Sequence, residues 1–382
     1  MEYIKLKNVA QIYLGLTHTP KYVECGVPFL SVKDISGGKI DFSKCHYIEN
    51  QEFESLPQGA KPQRGDLLFC RVGTIGKPII IDESIPKFGT FVSLGFLRCI
   101  NSEYTLEYLK YWMNSKLFYK QVKQNVKGVA QINLNTGWLK EFLIPVRTIK
   151  EQREIVKKLD KIQEIIDIRN KQIEELDILI KSQFVKMFGN ILEYEKLEKY
   201  AVLITKGASP KWQGINYQND GTLFVTSENV REGFVDISKP KYLDNKINEI
   251  LPRSILKRDD ILINIVGASI GRAAKYDYDY LANINQAVAL VRTQNINNVF
   301  LLAYLNSDEA IKMYDDMKKG GARENLSLKN IADLRIPKTP IELQNQFAEI
   351  VKQIDKQKFE IQKSLEEIQK LQESLMNKYF GG

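Results

Sequence analysis

The sequence predicts an α+β chain of two tandem, mostly-β domains, each followed by a long helix, with the two helices pairing as a coiled coil. Three observations carry this. The halves of the chain repeat each other at an offset of roughly 192–195 residues. Each half opens with about 145 residues of short β-branched runs broken by Gly, Pro and Asn. Each half then closes on ~40 residues whose apolar positions recur every seven, as packed helices require.

Four matches in chain order establish the repeat. Phe29-Leu-Ser-Val-Lys-Asp-Ile35 answers to Phe224-Val-Thr-Ser-Glu-Asn-Val230. Gly65-Asp-Leu-Leu-Phe-Cys-Arg-Val-Gly-Thr-Ile-Gly-Lys77 answers to Asp259-Asp-Ile-Leu-Ile-Asn-Ile-Val-Gly-Ala-Ser-Ile-Gly-Arg272, with one residue inserted. Asn133-Leu134 answers to Asn325-Leu326, and Leu143-Ile-Pro145 to Arg335-Ile-Pro337.

The resulting layout is a first mostly-β domain over 1–147, a first long helix over 148–189, a second domain over 190–338 and a second long helix over 339–382. Strands are expected at Lys77–Asp82 and Asp260–Val266, and a helical stretch late in each domain, around Leu106–Val122 and Val299–Met317. Thr148-Ile-Lys-Glu151 reads as a capping box, in which hydroxyl and carboxylate satisfy each other's backbone amides. Thr339-Pro-Ile-Glu342 reads as a second, with Pro at the first helical position. Phe188-Gly189 and Phe380-Gly381 supply C-terminal glycines.

In the first helix Leu159, Ile166, Ile173, Ile180 and Met187 form one apolar row, beside Ile162 and Leu176. In the second, Ile354, Ile361, Ile368 and Leu375 form the row, beside Val351 and Leu365. Arg169 and Gln183 interrupt the first seam, Lys358 and Gln372 the second. At an offset of 192 each interruption falls on an apolar residue of the other copy. Identical strands would stack their polar defects, so the pattern favours pairing of the two different helices of one chain.

Composition bounds the function. With 43% hydrophobic and 27% charged residues the chain has a globular balance. No apolar run approaches the ~20 residues of a membrane span. The start Met1-Glu2-Tyr3-Ile4-Lys5 lacks a signal peptide's apolar core, and a cytoplasmic location without a membrane partner is expected. Cys25, Cys45, Cys70 and Cys99 have no C-x-x-C spacing and only His18 and His46 for company, so no metal site is expected; reduced thiols are the simpler reading. Net charge is +8, and residues 1–191 hold 28 Lys+Arg against 21 Asp+Glu, whereas residues 192–382 hold 27 against 26. Such a balance admits a polyanionic partner.

Catalytic patterns are missing. Gly73-Thr-Ile-Gly76-Lys77 departs from a phosphate-binding loop, with Arg71 where the pattern needs Gly and Pro78 where it needs Ser or Thr. A tight turn between strands is expected there and at its echo Gly267–Gly271. No Asn/Asp-Pro-Pro-Tyr/Phe of amino-methyltransferases occurs. Asp66, Asp82 and Glu83 could be forced into a nuclease constellation, but Asp260 repeats Asp66 without an acidic pair downstream, so Asp66 reads as a turn residue. No catalytic residue is assigned.

What remains is binding chemistry. Basic side chains hold phosphates, and amides and hydroxyls read base edges. Lys33, Arg71, Lys77 and Lys127 are the phosphate candidates of the first domain, and Lys206, Lys211, Arg272 and Arg323 those of the second. Gln131 and Ser227 are the candidate base readers.

On these pieces the chain resembles the specificity subunits of type I restriction–modification systems. The resemblance rests on Asp66-Leu-Leu-Phe…Val72-Gly-Thr-Ile-Gly-Lys77 with its echo, on Ile144-Pro145 and Ile336-Pro337, and on the helix openings Glu151-Gln-Arg-Glu-Ile-Val156 and Leu343-Gln-Asn-Gln-Phe347. It implies that each β domain is a target-recognition domain reading one half of a split, asymmetric site in double-stranded DNA. It implies that the helices form an antiparallel, pseudo-two-fold spacer and dock two modification (methyltransferase) subunits. S-adenosylmethionine would then belong to those subunits, and ATP with Mg to additional restriction subunits, leaving no cofactor in this chain. Two other classes stay open: a fused restriction enzyme with its own catalytic site, and a coiled-coil scaffold binding protein.

Overall fold

A computed structural model describes residues 2–35, 37–125, 133–319 and 325–381. The chain divides into two compact units, Met1–Asn170 with Lys363–Gly382, and Lys171–Gln362. Each unit thus joins one β domain to the near ends of both long helices.

In the first unit an antiparallel sheet runs in the order Ala10–Leu14, Leu94–Cys99, Leu67–Cys70, Gly76–Ile80. A second sheet runs Tyr22–Val23, His46–Ile48, Val27–Leu30, Gly89–Thr90, its last pair parallel. In the second unit the larger sheet runs Ala201–Lys206, Val288–Thr293, Ile261–Asn264, Ala273–Lys275, Gly233–Phe234, and the smaller runs Tyr217–Gln218, Tyr242–Leu243, Thr222–Val225, Ala282–Ile284. The central strands Leu67–Cys70 and Ile261–Asn264 are buried at every position, as a strand covered on both faces must be.

Two-stranded ladders close each domain on itself. Tyr3 pairs Pro145 in the first and Tyr194 pairs Pro337 in the second. They bring the domain's first strand back to the residues that lead into its long helix, Ile149–Phe188 or Ile341–Phe380.

Each expected late helix is instead two. Leu106–Met113 precedes Lys116–Asn125, and Asn298–Leu305 precedes Asp308–Lys319. The break is local chemistry: the Ser115 hydroxyl accepts the Phe118 amide (3.3 Å) and Ser307 accepts that of Ala310 (3.3 Å), so each serine caps a new helix. The first capping box is present, with Thr148 and Glu151 bonding reciprocally. The second is not: the Thr339 hydroxyl donates to the Pro337 carbonyl, and Pro340 precedes the helix, its one carbonyl accepting from the amides of both Leu343 and Gln344. Gly381 has φ 80, as a left-handed C-terminal glycine should, whereas Gly189 is absent from the positive-φ glycines.

A buried glutamine near each helix start has no precedent in the sequence reading. Gln152 accepts the Thr105 amide (3.0 Å) and donates to Glu103 O and Arg147 O; Gln344 accepts the Asn297 amide (2.8 Å) and donates to Thr339 O. Each pins the first late helix of its domain to the long helix.

The cores explain how each unit recruits both helices. Leu159 is fully buried against the first unit's sheet and helices, and Phe380, from the chain's far end, lies with its ring centroid 5.0 Å from that of Tyr108. In the second unit Phe184, Phe188, Phe300 and Phe347 form one aromatic cluster. The helices run antiparallel within both units. In the first unit Gln372 donates to Gln163 (3.0 Å); in the second Lys358 bonds Asp177 (2.6 Å). Leu159, Ile166 and Ile354 are buried, and Ile173, Ile180, Ile361, Ile368 and Leu375 are half-buried. The interrupting Lys358 and Gln372 therefore meet polar partners rather than apolar ones. Among the described residues no helix is long and apolar enough to cross a membrane.

Candidate nucleic-acid interface

The glycine turns are strand-to-strand turns in both units. Gly76 (φ 86) and Gly271 (φ 87) adopt a backbone that side chains rarely take. A Cβ at Gly76 would stand 2.9 Å from the Tyr119 hydroxyl, and one at Gly271 2.3 Å from the Tyr314 ring. The late helix of each domain therefore seats its turn through an aromatic residue, and the loop is rigidly aimed.

Arg71 opens the first turn, and the structure gives it a different job from the expected phosphate contact. Its Nε donates to Leu134 O (3.0 Å), Nη1 to Val92 O (3.1 Å) and Nη2 to Asn133 Oδ1 (2.7 Å). Burial lowers its pKa, yet an arginine stays charged. The guanidinium thus ties the turn to the chain that follows residues 126–132. Lys127 and Gln131 lie outside the described residues. In the second unit a backbone bond, Leu326 N–H to Ile265 O (2.9 Å), makes the corresponding link, and Arg323 lies outside the described residues.

Lys33 is exposed on the short helix Val32–Ile35. Its structural counterpart in the second unit is Glu228, since Thr226 and Asn229 repeat the turn of Ser31 and Asp34. Lys77 is exposed at the end of its turn with φ 52. Lys206, the last residue of its strand, and Lys211, in the short helical turn Pro210–Gln213, are exposed, and Arg272 is half-buried. Ser227 is half-buried, and its carbonyl accepts from Asn264 (3.0 Å), a fully buried amide that also donates to Ser269. The second turn and the Ser227 loop are therefore held together by Asn264, as Arg71 holds its own surroundings in the first.

The acidic residues have structural partners. Asp66, 1% exposed, takes a two-pronged bond from Arg98 (2.8 and 2.7 Å) and the Gln63 amide (2.7 Å). Asp260 repeats this with Arg292 (2.7 and 2.7 Å) and the Lys257 amide. Asp82 caps Ser84, and Glu83 pairs with Arg64. Among the described residues no group of three or more His, Cys, Asp or Glu could hold a metal. Burial pushes the Cys70 thiol up to about 11, which keeps it protonated and unreactive at neutral pH.

One cationic surface lies outside the candidate residues legible in the sequence. On the helix Lys116–Asn125, exposed Lys116, Lys120 and Lys123 line a shallow groove with Asn114, Tyr119 and Gln124. Their spacing of four and three residues was the available signal. The counterpart helix, Asp308–Lys319, opens with Asp308 and Glu309 instead. The two domains thus share a frame and differ in surface charge. Apolar side chains also stay exposed on the long helices, off the seam: Ile165, Ile168 and Leu371 in the first unit, Ile178, Val185 and Phe359 in the second.

Comparison with known proteins gives a consistent match. The family model described as type I restriction modification DNA specificity domain matches residues 1–177 and 214–373. A putative type I restriction enzyme specificity subunit, MjaX, of Methanocaldococcus jannaschii is 26% identical over 98% of this chain and 91% of its own. The EcoBI specificity subunit of Escherichia coli is 25% identical over 94% of this chain and 80% of its own. Among solved structures, a chain of a type I restriction–modification system superimposes with a TM-score of 0.63 at 18% identity, covering 100% of this chain and 97% of its own. The specificity subunit from M. genitalium superimposes with a TM-score of 0.54 at 17% identity, covering 99% and 96%.

Proposed function

The chain belongs to the type I restriction–modification DNA specificity family, and from that premise we propose that it reads an asymmetric, bipartite DNA site for a methyltransferase complex. The observation that carries the reading is the duplication itself. Ladder, Gly turn, buried Asp–Arg fork and buried glutamine recur in both units, whereas the loops around them differ in charge and length. A repeated frame with divergent loops is what two reading heads of different specificity need, and a pseudo-symmetric chain supplies what a homodimer cannot.

Lys33, Lys77, Lys206, Lys211 and Arg272, with Lys127 and Arg323, are the candidates for phosphate contacts. Gln131 and Ser227 are the candidates for base edges, and Arg71 acts as a positioning residue. The paired helices set the gap between half-sites, and their exposed off-seam apolar residues favour docking of two modification subunits, which bring S-adenosylmethionine. Restriction subunits bring ATP and Mg.

Co-expression with a modification subunit, followed by sequencing of methylated adenines, tests this. A two-part motif with unlike halves is expected, and replacing residues 1–145 by another member's first domain should change one half alone. A palindromic motif, no motif, or a change in both halves refutes the reading.

A further inference from the structure

We propose that Trp212 is an aromatic wedge that stacks on a base at one step of the half-site read by the second domain; the proposal rests on the DNA-reading function above. Trp212 is 87% exposed, whereas Trp112 is fully buried and Trp138 is 38% exposed. An indole left in water on a loose loop would mean little. This one is rigidly presented. A Cβ on Gly207 would lie 1.7 Å from Ile284 O, so the loop's root is pressed against the sheet. Pro210 is buried, the Ile215 amide bonds Pro210 O (3.0 Å), and Gly214 turns the chain back at φ 69.

Alignment of the sheets shows where this loop comes from. Ile12 opposite Leu97 corresponds to Ile204 opposite Val291, and Tyr22 opposite Ile48 to Tyr217 opposite Leu243. Between these landmarks the second domain carries three more residues than the first, and the extra length displays Trp212. In the first domain the shorter loop leaves Tyr22 stacked on His46, with centroids 4.1 Å apart. Tyr217, the counterpart of Tyr22, packs edge-on against Phe224, so Trp212 is an additional, exposed ring in the lengthened loop.

Charge selects the occupant. Lys211, next to Trp212 in the chain, and Lys206, at the end of the strand that leads into this loop, are both exposed. Cations beside a bare aromatic face suit a nucleic acid, where phosphate is held and a base stacks. Side chains inserted between base steps unstack them and kink the duplex, which generates preference for flexible steps without hydrogen bonds to base edges. Trp212 would therefore add readout that Ser227 and the lysines do not supply.

The test uses the complex of this chain with its modification subunits and duplexes carrying the motif found by methylation sequencing, with 2-aminopurine placed in turn through the second half-site. Wild type should raise the emission of one position besides the methylated adenine, which the modification subunit itself extrudes, reporting lost stacking there. Trp212→Ala should abolish that rise and weaken binding about 5- to 140-fold, since stacking of a base on an aromatic ring is worth ~1–3 kcal/mol and 1.4 kcal/mol is tenfold. Trp212→Phe should keep most of both. The melting temperature of Trp212→Ala should stay close to that of wild type, because the side chain is 87% exposed. Unchanged affinity with no emission rise overturns the wedge while leaving DNA reading intact. Loss of modification subunits from Trp212→Ala, with no emission change in wild type, overturns it in favour of a protein contact. A wild-type complex with no sequence preference overturns both readings together.

Discussion

Replacing Asp66 by Asn removes the charge from a carboxylate that is 1% exposed and accepts three hydrogen bonds, from Arg98 Nε (2.8 Å), Arg98 Nη2 (2.7 Å) and the Gln63 amide (2.7 Å). The Asn oxygen can keep at most one prong, and its NH2 would face a guanidinium that also only donates. Breaking a buried ion pair on one side costs about 3–5 kcal/mol. The Arg98 side chain is 29% exposed, so water recovers part of its solvation and the lower end, ~3 kcal/mol, applies. Arg98 also lies over the Tyr13 ring at 4.9 Å, a contact that survives the change. For a unit of this size 1 kcal/mol moves the melting temperature by about 2–4 °C, so a fall of about 6–12 °C is expected by calorimetry. The second unit carries the same fork, Arg292–Asp260, and serves as an internal reference whose transition should stay in place. Combining Asp66→Asn with Arg98→Met should restore part of the loss, because no unpaired charge is then left. A shift under about 2 °C, or an equal shift of both units, refutes the assignment of the fork to the first unit's stability.

Lys77→Gly should reduce the salt slope of DNA binding by about one unit while raising stability by up to about 1–2 kcal/mol, because the left-handed backbone at φ 52 suits glycine; Arg71→Ala should instead lower the melting temperature, measured alongside salt-dependent binding. Inserting one heptad after Ile173 and one after Ile361, which face each other in the observed register, should lengthen the methylated motif's gap by about three base pairs, ~10 Å at 1.5 Å per residue. Binding should weaken as well, since three base pairs turn the duplex by ~100°; altered half-site bases would show that the helices do more than space the heads. Lys5 and Lys7, each 2.7 Å from Glu141, hold its carboxyl down to about 2. The folded pKa is depressed, so this contribution is full above the ordinary carboxylate range of ~4.3 and is lost as pH falls through about 2. The melting difference between wild type and Glu141→Gln should be constant above pH ~5 and vanish near pH 2.

The sequence by itself determined the duplication, the division into β domain and long helix, the turns at Gly73–Gly76 and Gly267–Gly271, and the apolar rows from Leu159 and Ile354. These signals are periodic or confined to a few neighbouring residues, which is the range over which backbone preference and patterning act. The sequence also carried the cues at Ser115 and at Lys116, Lys120 and Lys123, since each is a short-range pattern that can be read without the fold. Tertiary structure alone decided which acceptors Arg71 takes, because Val92 and Leu134 lie 21 and 63 residues away. It alone matched Asp66 to Arg98, set Asp177 opposite Lys358, carried Phe380 into the first unit's core and exposed Trp212 on a lengthened loop. A hydrogen-bonding side chain names the kind of partner it needs, but which partner it meets is fixed by contacts between distant segments, and those form only when the sheets and helices have packed.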